Sequence, residues 1–235
     1  VRLGESEVSV MQRALSFLLV VAAFALVPAV VLAVPIPISG TGALGSFTGT
    51  FDYTATNDAL GTVDISLTNT SPLLNGGFLT AFVFNVPTGA DVTSSLFTSS
   101  DLDFGLLGAT DFDDNVSGAP FGQFDVGAST GGSFEGGGNP NLGLGVGGAA
   151  TFTFTLSGTG LAGLTAADFL NTLSVPPGSG QGLQDFVVRF RGFADGGSDK
   201  VPNNGDTPVP EPSTLLLLSL GLASILTPRF RSRGK

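Results

Sequence analysis

Apolar and polar residues alternate along most of the middle of the chain, as expected for strands with one buried face. The segments Phe47–Thr54 and Thr62–Thr68 both alternate in this way, and a turn at Asn57–Gly61 separates them. They are therefore predicted to form a hairpin that buries its apolar face. The segment Phe78–Val86 is apolar at both parities, which predicts a central strand covered on both sides.

Thr151–Leu156 shows the cleanest alternation in the chain, and Phe186–Arg191 alternates as well, whereas Val92–Phe97 and Phe121–Val126 are weaker strand candidates. One helix is predicted over Thr165–Leu173, because Thr165 can cap it and Asp168 stands three residues later. Short strands rich in Phe, Val and Thr, separated by Gly and Asn, predict an all-β protein. The expected fold is an antiparallel β-sandwich of about seven to nine strands with one short helix.

The N-terminal region has the pattern of an export signal. Arg13 precedes the apolar run Leu15–Leu32, and Val31 and Ala33 supply small side chains at the positions that signal peptidase reads. A signal helix is therefore predicted within residues 1–33, with cleavage by signal peptidase between Ala33 and Val34. The run is long for a signal peptide, so an uncleaved N-terminal anchor is the alternative. Met11 is the predicted translation start, because the residues before it are acidic where a signal should be basic.

The last 26 residues combine a polar motif, an apolar segment and a basic tail. The motif consists of Val209, Pro210, Glu211, Pro212, Ser213 and Thr214. The apolar segment 213–227 is predicted to form a short transmembrane helix. The tail carries Arg229, Arg231, Arg233 and Lys235. These cations are expected to stay on the cytoplasmic side of a membrane.

This order of elements at the end of a chain resembles the PEP-CTERM sorting signal of Gram-negative bacteria. The resemblance covers residues 210–235 and the preceding Val209. It implies recognition by exosortase, a transpeptidase-like membrane enzyme, after transient anchoring in the inner membrane. The processed protein would reach the cell surface or the extracellular matrix. Such systems accompany exopolysaccharide and biofilm genes, which implies a structural or adhesive role and exopolysaccharide as a partner. An ordinary tail anchor is the alternative, although 15 apolar residues are fewer than the ~20 that span a bilayer.

Between the two ends, residues 34–199 are predicted to form one ectodomain, followed by a linker at 200–209. Residues 34–209 contain three cations and sixteen carboxylates. This charge repels phosphate backbones and excludes nucleic acid as a partner. The chain has no Cys, which excludes disulfides, Cys-ligated zinc and thiol catalysis.

One acidic cluster is a candidate metal site. Its members fall within fifteen residues: Asp101, Asp103, Asp111, Asp113 and Asp114. Carboxylate oxygens on a loop suit Ca²⁺, but the spacing differs from that of an EF-hand. A solvated acidic loop is therefore the alternative, and no cofactor other than this structural calcium is predicted.

Catalysis is not expected, because the chain has no His to serve as a general base near neutral pH. The spacing of Gly143, Gly145 and Gly148 fits a dinucleotide fingerprint, but a strand follows where a helix is required. The leading hypothesis is an exported, non-catalytic surface protein. Two alternatives remain: a calcium-dependent adhesion or glycan-binding module, and a secreted carboxylate-dependent hydrolase. The hydrolase would require two acidic residues that converge in a pocket.

Overall fold

The protein is described by a computed structural model that covers residues 34–108, 112, 115–176 and 181–204. Within these residues the strands are β1 Ile36–Thr41, β2 Ser46–Asn57, β3 Leu60–Asn69, β4 Gly76–Phe84, β5 Asp91–Ser99, β6 Gly105–Gly108, β7 Val116–Ser117, β8 Gln123–Phe124, β9 Val126–Ser129, β10 Ala149–Thr159, β11 Phe186–Phe193 and β12 Ser198–Pro202. Helix α1 spans Ala166–Leu170, and a 3-10 turn spans Pro140–Leu142.

The strands form two five-stranded sheets and one small sheet. Sheet 1 has the order β1-β2-β3-β10-β5, and sheet 2 has the order β12-β11-β4-β9-β6. Strands β7 and β8 pair separately. All paired strands are antiparallel, which confirms the predicted antiparallel β-class. The number of strands exceeds the prediction because several of them are only two to four residues long.

The predicted hairpin is confirmed as β2 and β3. Phe51 lies opposite Ile65, and Tyr53 lies opposite Val63. All four of these side chains are buried, as the alternation predicted. The hydroxyl of Tyr53 donates to the carbonyl of Leu161 at 2.8 Å, so the polar end of this buried ring is satisfied.

Sheets 1 and 2 pack face to face around an aromatic core. Phe82 of sheet 2 lies 4.7 Å, centroid to centroid, from Phe152 of sheet 1. Phe84 of sheet 2 contacts Phe51 at 5.5 Å and Phe154 at 5.2 Å, both edge to face. Such pairs contribute about 0.5–1.5 kcal/mol each beyond the burial of their area. This interlocking of rings from both sheets makes the domain a β-sandwich.

Strand β4 is central in sheet 2, as the apolar run Phe78–Val86 predicted. Its second face is also covered, because Val83 packs with Val187, Phe124 and Phe134 in a separate apolar cluster. Phe124 belongs to β8, and Phe134 lies in the glycine-rich segment before β10. The outer face of sheet 2 is therefore covered by a second, smaller cluster of buried apolar residues.

The predicted helix is confirmed but is shorter at its C-terminal end. Asp168 Oδ2 accepts from the backbone N–H of Thr165 at 2.7 Å, so Asp168 caps the first turn. The helix ends at Leu170, and Asn171 follows as its C-cap. Phe169 anchors it, with its ring 4.9 Å from that of Tyr53.

The C-terminal edge of sheet 2 extends into the segment interpreted as a linker. In β12, Lys200 lies opposite Arg189 of β11, and Pro202 lies opposite Val187. Residues 200–202 are therefore part of the sheet, and the folded ectodomain reaches beyond Asp199.

Candidate functional site

The point where the chain leaves the sandwich is fixed by hydrogen bonds on both sides. Asn203 N–H donates to the carbonyl of Phe186, and Asn204 N–H donates to the carbonyl of Ser39, both at 2.8 Å. The amide oxygen of Asn203 also accepts from the N–H of Ser39 at 3.2 Å. Residues 203–204 thus join β1 to β11 and hold the exit point against both sheets.

Asp185 completes this clamp. Its carboxylate accepts from the side-chain NH₂ of Asn203 at 3.0 Å. Burial raises the pKa of Asp185, although hydrogen bonds from Asn203 and the backbone act in the opposite direction. The clamp therefore contains a carboxyl group whose ionisation opposes folding.

Three cations gather on the outer face of sheet 2 and hold the glycine-rich segment 131–138 in place. Lys200 Nζ lies 2.7 Å from Glu135 and also donates to the carbonyl of Ala119. Arg191 donates to the carbonyl of Gly137 at 2.8 Å. Arg189 Nη1 lies 3.5 Å from Glu135 Oε2. Burial lowers the pKa of Arg189, and Glu135 partly offsets this effect.

These three side chains are the only cations between residues 34 and 209. Each one contacts Glu135 or a backbone carbonyl, so their role in the described structure is to fasten a loop. The face does not offer a set of solvent-exposed cations for an anionic ligand.

A cavity of about 180 Å³ lies beside the C-terminal end of α1. Asn85 and Asp125 line it and bind each other, because Asp125 N–H donates to Asn85 Oδ1 at 3.1 Å. Asp125 Oδ2 accepts from the N–H of Val86 at 2.8 Å. Asp91 and Phe112 also line the cavity.

Residues 208–229 match the family model of the PEP-CTERM protein-sorting motif. The chain carries a PEP-CTERM sorting motif. The match confirms the resemblance on which the interpretation of the C-terminal region rests. The PEP-CTERM motif is consistent with an exosortase substrate, and it implies export, a membrane-anchored precursor and later sorting to the surface. No curated protein and no solved structure matches the chain.

All of the predicted sorting-motif and basic-tail residues lie outside the described residues. This applies to Val209, Pro210, Glu211, Pro212, Ser213 and Thr214, to Arg229, Arg231, Arg233 and Lys235, and to Ala33 on the predicted cleavage bond. Val34, the other side of that bond, is 77 % exposed. In the part of the chain that the structure describes, no helix is both long and apolar enough to cross a bilayer.

The predicted calcium ligands are only partly described. Asp111, Asp113 and Asp114 lie outside the described residues. Asp101 Oδ1 accepts from the N–H of Asp103 at 3.1 Å, so Asp101 stabilises the turn after β5. Among the residues with described positions, no three acidic side chains come close enough to hold a metal ion.

Sequence reasoning missed the polar pair in the cavity and the function of the three cations. Asn85 was visible as an amide side chain near the end of the largely apolar run Phe78–Val86. A buried amide needs a partner, and that requirement could have indicated a polar site at this end of β4. The contacts of Glu135 with Arg189 and Lys200 span 54 and 65 residues, and no local pattern in the sequence reports them.

Proposed function

We propose that this protein is an exported, non-catalytic surface or extracellular-matrix protein that presents an acidic β-sandwich after exosortase processes its C-terminal region. The PEP-CTERM match at residues 208–229 is the observation that carries the proposal. A role in an exopolysaccharide matrix or biofilm follows from the usual association of such signals.

The geometry of the exit point supports this arrangement. Only residues 205–207 lie between Asn204 and the matched segment. A fully extended chain spans at most about 3.6 Å per residue, so three residues can span at most roughly 11 Å. The sandwich would therefore stand close to the motif while the precursor is anchored. Because Asn203 and Asn204 are bonded to both sheets, the folded domain need not unravel for the motif to be reached.

The cavity beside α1 is the place to look for the carboxylate pair that the alternative function, a secreted hydrolase, would require. Asp91 and Asp125 both line it, and converging carboxylates are what such an enzyme requires. However, Asp125 is already bound to the backbone of Val86. The cavity is also smaller than the roughly 300–1,000 Å³ typical of ligand pockets. We therefore interpret the pair Asn85 and Asp125 as a structural link between β4 and the β8–β9 connection.

Sorting of the full-length protein in a host with a matching exosortase tests the proposal. Glu211→Ala is expected to leave precursor in the inner membrane, while the wild-type protein reaches the surface. Asp206→Ala is the matched control, because it removes a carboxylate just outside the matched segment. Normal surface delivery of Glu211→Ala, or equal retention of both variants, would contradict recognition of the motif.

Intact mass of the protein recovered from the surface adds a second readout. We expect a chain that begins at Val34 and ends near Pro210–Thr214, and any excess mass would report glycosylation. Recovery of an unprocessed chain that still contains the basic tail would favour the tail-anchor alternative. Release of reducing sugar from the host's exopolysaccharide, abolished by Asp91→Asn, would favour the hydrolase instead.

A further inference from the structure

Strand β5 forms a long edge of the sandwich that no other described strand covers. It spans nine residues and, among the described strands, pairs only with β10. The opposite edge of sheet 1 differs, because Asn204 N–H donates to the carbonyl of Ser39 in β1. The neighbouring edge strand β6 has only four residues. Edge strands with unpaired N–H and C=O groups can pair with another chain.

The hydrogen bonds to β10 define which groups of β5 point outward. Ser100 N–H donates to the carbonyl of Thr151 at 3.0 Å, so its backbone faces β10. Backbone direction alternates along an antiparallel strand, so Leu96 and Thr98 also face β10. Ser95, Phe97 and Ser99 consequently direct their N–H and C=O groups to the outer edge.

This edge lacks the usual protection against pairing. Residues 93–100 contain no charged residue and no Pro, whereas natural edges are commonly blocked by Lys, Pro or a bulge. The register irregularity of β5 lies opposite Ser157 and Gly158, near the start of the strand. Residues 94–99 therefore remain regular, and the side chain of Leu96 is 75 % exposed on the outer face.

We propose that two copies of this protein pair through β5 in antiparallel orientation, with Phe97 on the two-fold axis. Ser95 then lies opposite Ser99 of the second copy. Leu96 lies opposite Thr98 of the second copy. The outward N–H groups of residues 95, 97 and 99 in each copy meet outward carbonyls of the other, and the two copies of sheet 1 become one continuous sheet.

Charge identifies a second copy as a suitable occupant of this edge. The ectodomain is strongly acidic, so two copies can approach closely only where carboxylates are absent. The β5 edge is such a place, since Asp91 and Asp101 lie at its two ends. In the proposed register residues 94–100 of one copy lie opposite residues 94–100 of the second copy, and this paired segment contains no carboxylate.

The pair is held mainly by backbone hydrogen bonds and by little apolar area. It is expected to be weak in dilute solution, because stable interfaces bury about 1,200–2,000 Å². Anchored or surface-bound copies experience a high effective concentration, which favours a weak contact of this kind. The dimer would therefore form mainly where the protein accumulates.

Disulfide trapping on the full-length protein tests the register directly, because the natural chain has no Cys. Leu96→Cys and Thr98→Cys chains with different tags are produced in the same host. Opposite residues in a non-hydrogen-bonded pair have Cβ atoms about 4.5–5.5 Å apart, which is close to the separation that a disulfide accommodates. With equal amounts of the two chains, random linking gives as much mixed disulfide as the two self-linked products together, and we expect the mixed disulfide to exceed that sum.

Leu74→Cys is the matched control, since Leu74 is a 93 % exposed leucine in the β3–β4 loop. It should not link to Thr98→Cys. Equal linking of Leu74→Cys, or no mixed disulfide between positions 96 and 98, would overturn the proposal.

A variant that removes one outward backbone N–H gives an independent test of the β5 contact. Ser95→Pro removes an outward N–H from each copy but leaves the bonds to β10, and Ser95→Ala keeps that N–H. Two lost hydrogen bonds are expected to weaken the dimer about 30-fold, at the usual net contribution of such bonds, while Ser95→Ala has no such effect. Mixed disulfide that persists in Ser95→Pro would refute the β5 contact. If Ser95→Pro does not reach the surface, Leu96→Lys combined with trapping at positions 95 and 99 replaces it. A lysine on an edge strand is expected to disfavour pairing, and undiminished mixed disulfide would refute the β5 contact.

Discussion

Phe152 offers the sharpest test of the sandwich, because three rings surround it. It is fully buried in β10, and its ring lies 4.7 Å from Phe82, 5.0 Å from Phe104 and 6.5 Å from Phe97. Phe152→Asp removes these contacts and leaves a carboxylate with no partner. Truncation of a buried Phe costs about 3–5 kcal/mol. An unpaired charge left in the interior costs about as much again.

The sum is comparable with the whole stability of a typical domain, about 5–15 kcal/mol. The segment Val34–Asn204, which contains every described strand, is expected to melt cooperatively as wild type and to lose its native transition as Phe152→Asp. Thr151→Asp is the matched control, because Thr151 is the preceding residue on the exposed face of the same strand. Thermal melting followed by circular dichroism checks both variants.

Two results would refute this reasoning. An unchanged melting midpoint for Phe152→Asp would mean that the face assignment of β10 is wrong. A comparable loss in Thr151→Asp would mean that any charge in this strand prevents folding, so that burial between the sheets does not explain the effect. Phe152→Leu should be intermediate, since it keeps an apolar side chain and leaves only part of the volume empty.

Two further predictions concern the titration of Asp185 and the binding of calcium to the acidic cluster. Burial raises the pKa of Asp185 in the folded state above its usual 3.8, so its contribution to stability is greatest below that value and is lost as pH rises through the raised pKa. Asp185→Asn should therefore raise the melting midpoint at neutral pH more than in acid, whereas the exposed Asp58→Asn should not, and denaturation over a pH series checks this. For the acidic cluster that includes Asp101, melting in calcium and in chelator at equal ionic strength should differ, by about 1.4 kcal/mol at ten-fold saturation. Identical melting midpoints in calcium and in chelator would show that the cluster is a solvated acidic loop without bound calcium.

The strands that could be predicted are those whose own residues report their burial. In β2, β3 and β10 one face is buried and the other is exposed to solvent, so the alternation of Phe or Val with Thr is sufficient to locate these strands. Strand β4 was recognisable because both of its faces are covered. Strand β12 was not, since Ser198–Pro202 contains Asp, Lys and Pro. It joins sheet 2 through pairing with β11, and that pairing depends on a distant partner.

The sorting motif and the β5 edge differ in the same way, because only the first could be predicted from the sequence. The PEP-CTERM motif is a linear signal that an enzyme reads as sequence, so it was predictable without a fold. The β5 edge carries no residue motif at all, because its outward groups are backbone N–H and C=O, which every strand possesses. Only the position of β5 at the margin of sheet 1, together with the absence of charge and Pro in residues 93–100, distinguishes it. A protein presented at high density on a surface can use such an edge to associate, and its strongly acidic remainder then limits association to that one strip.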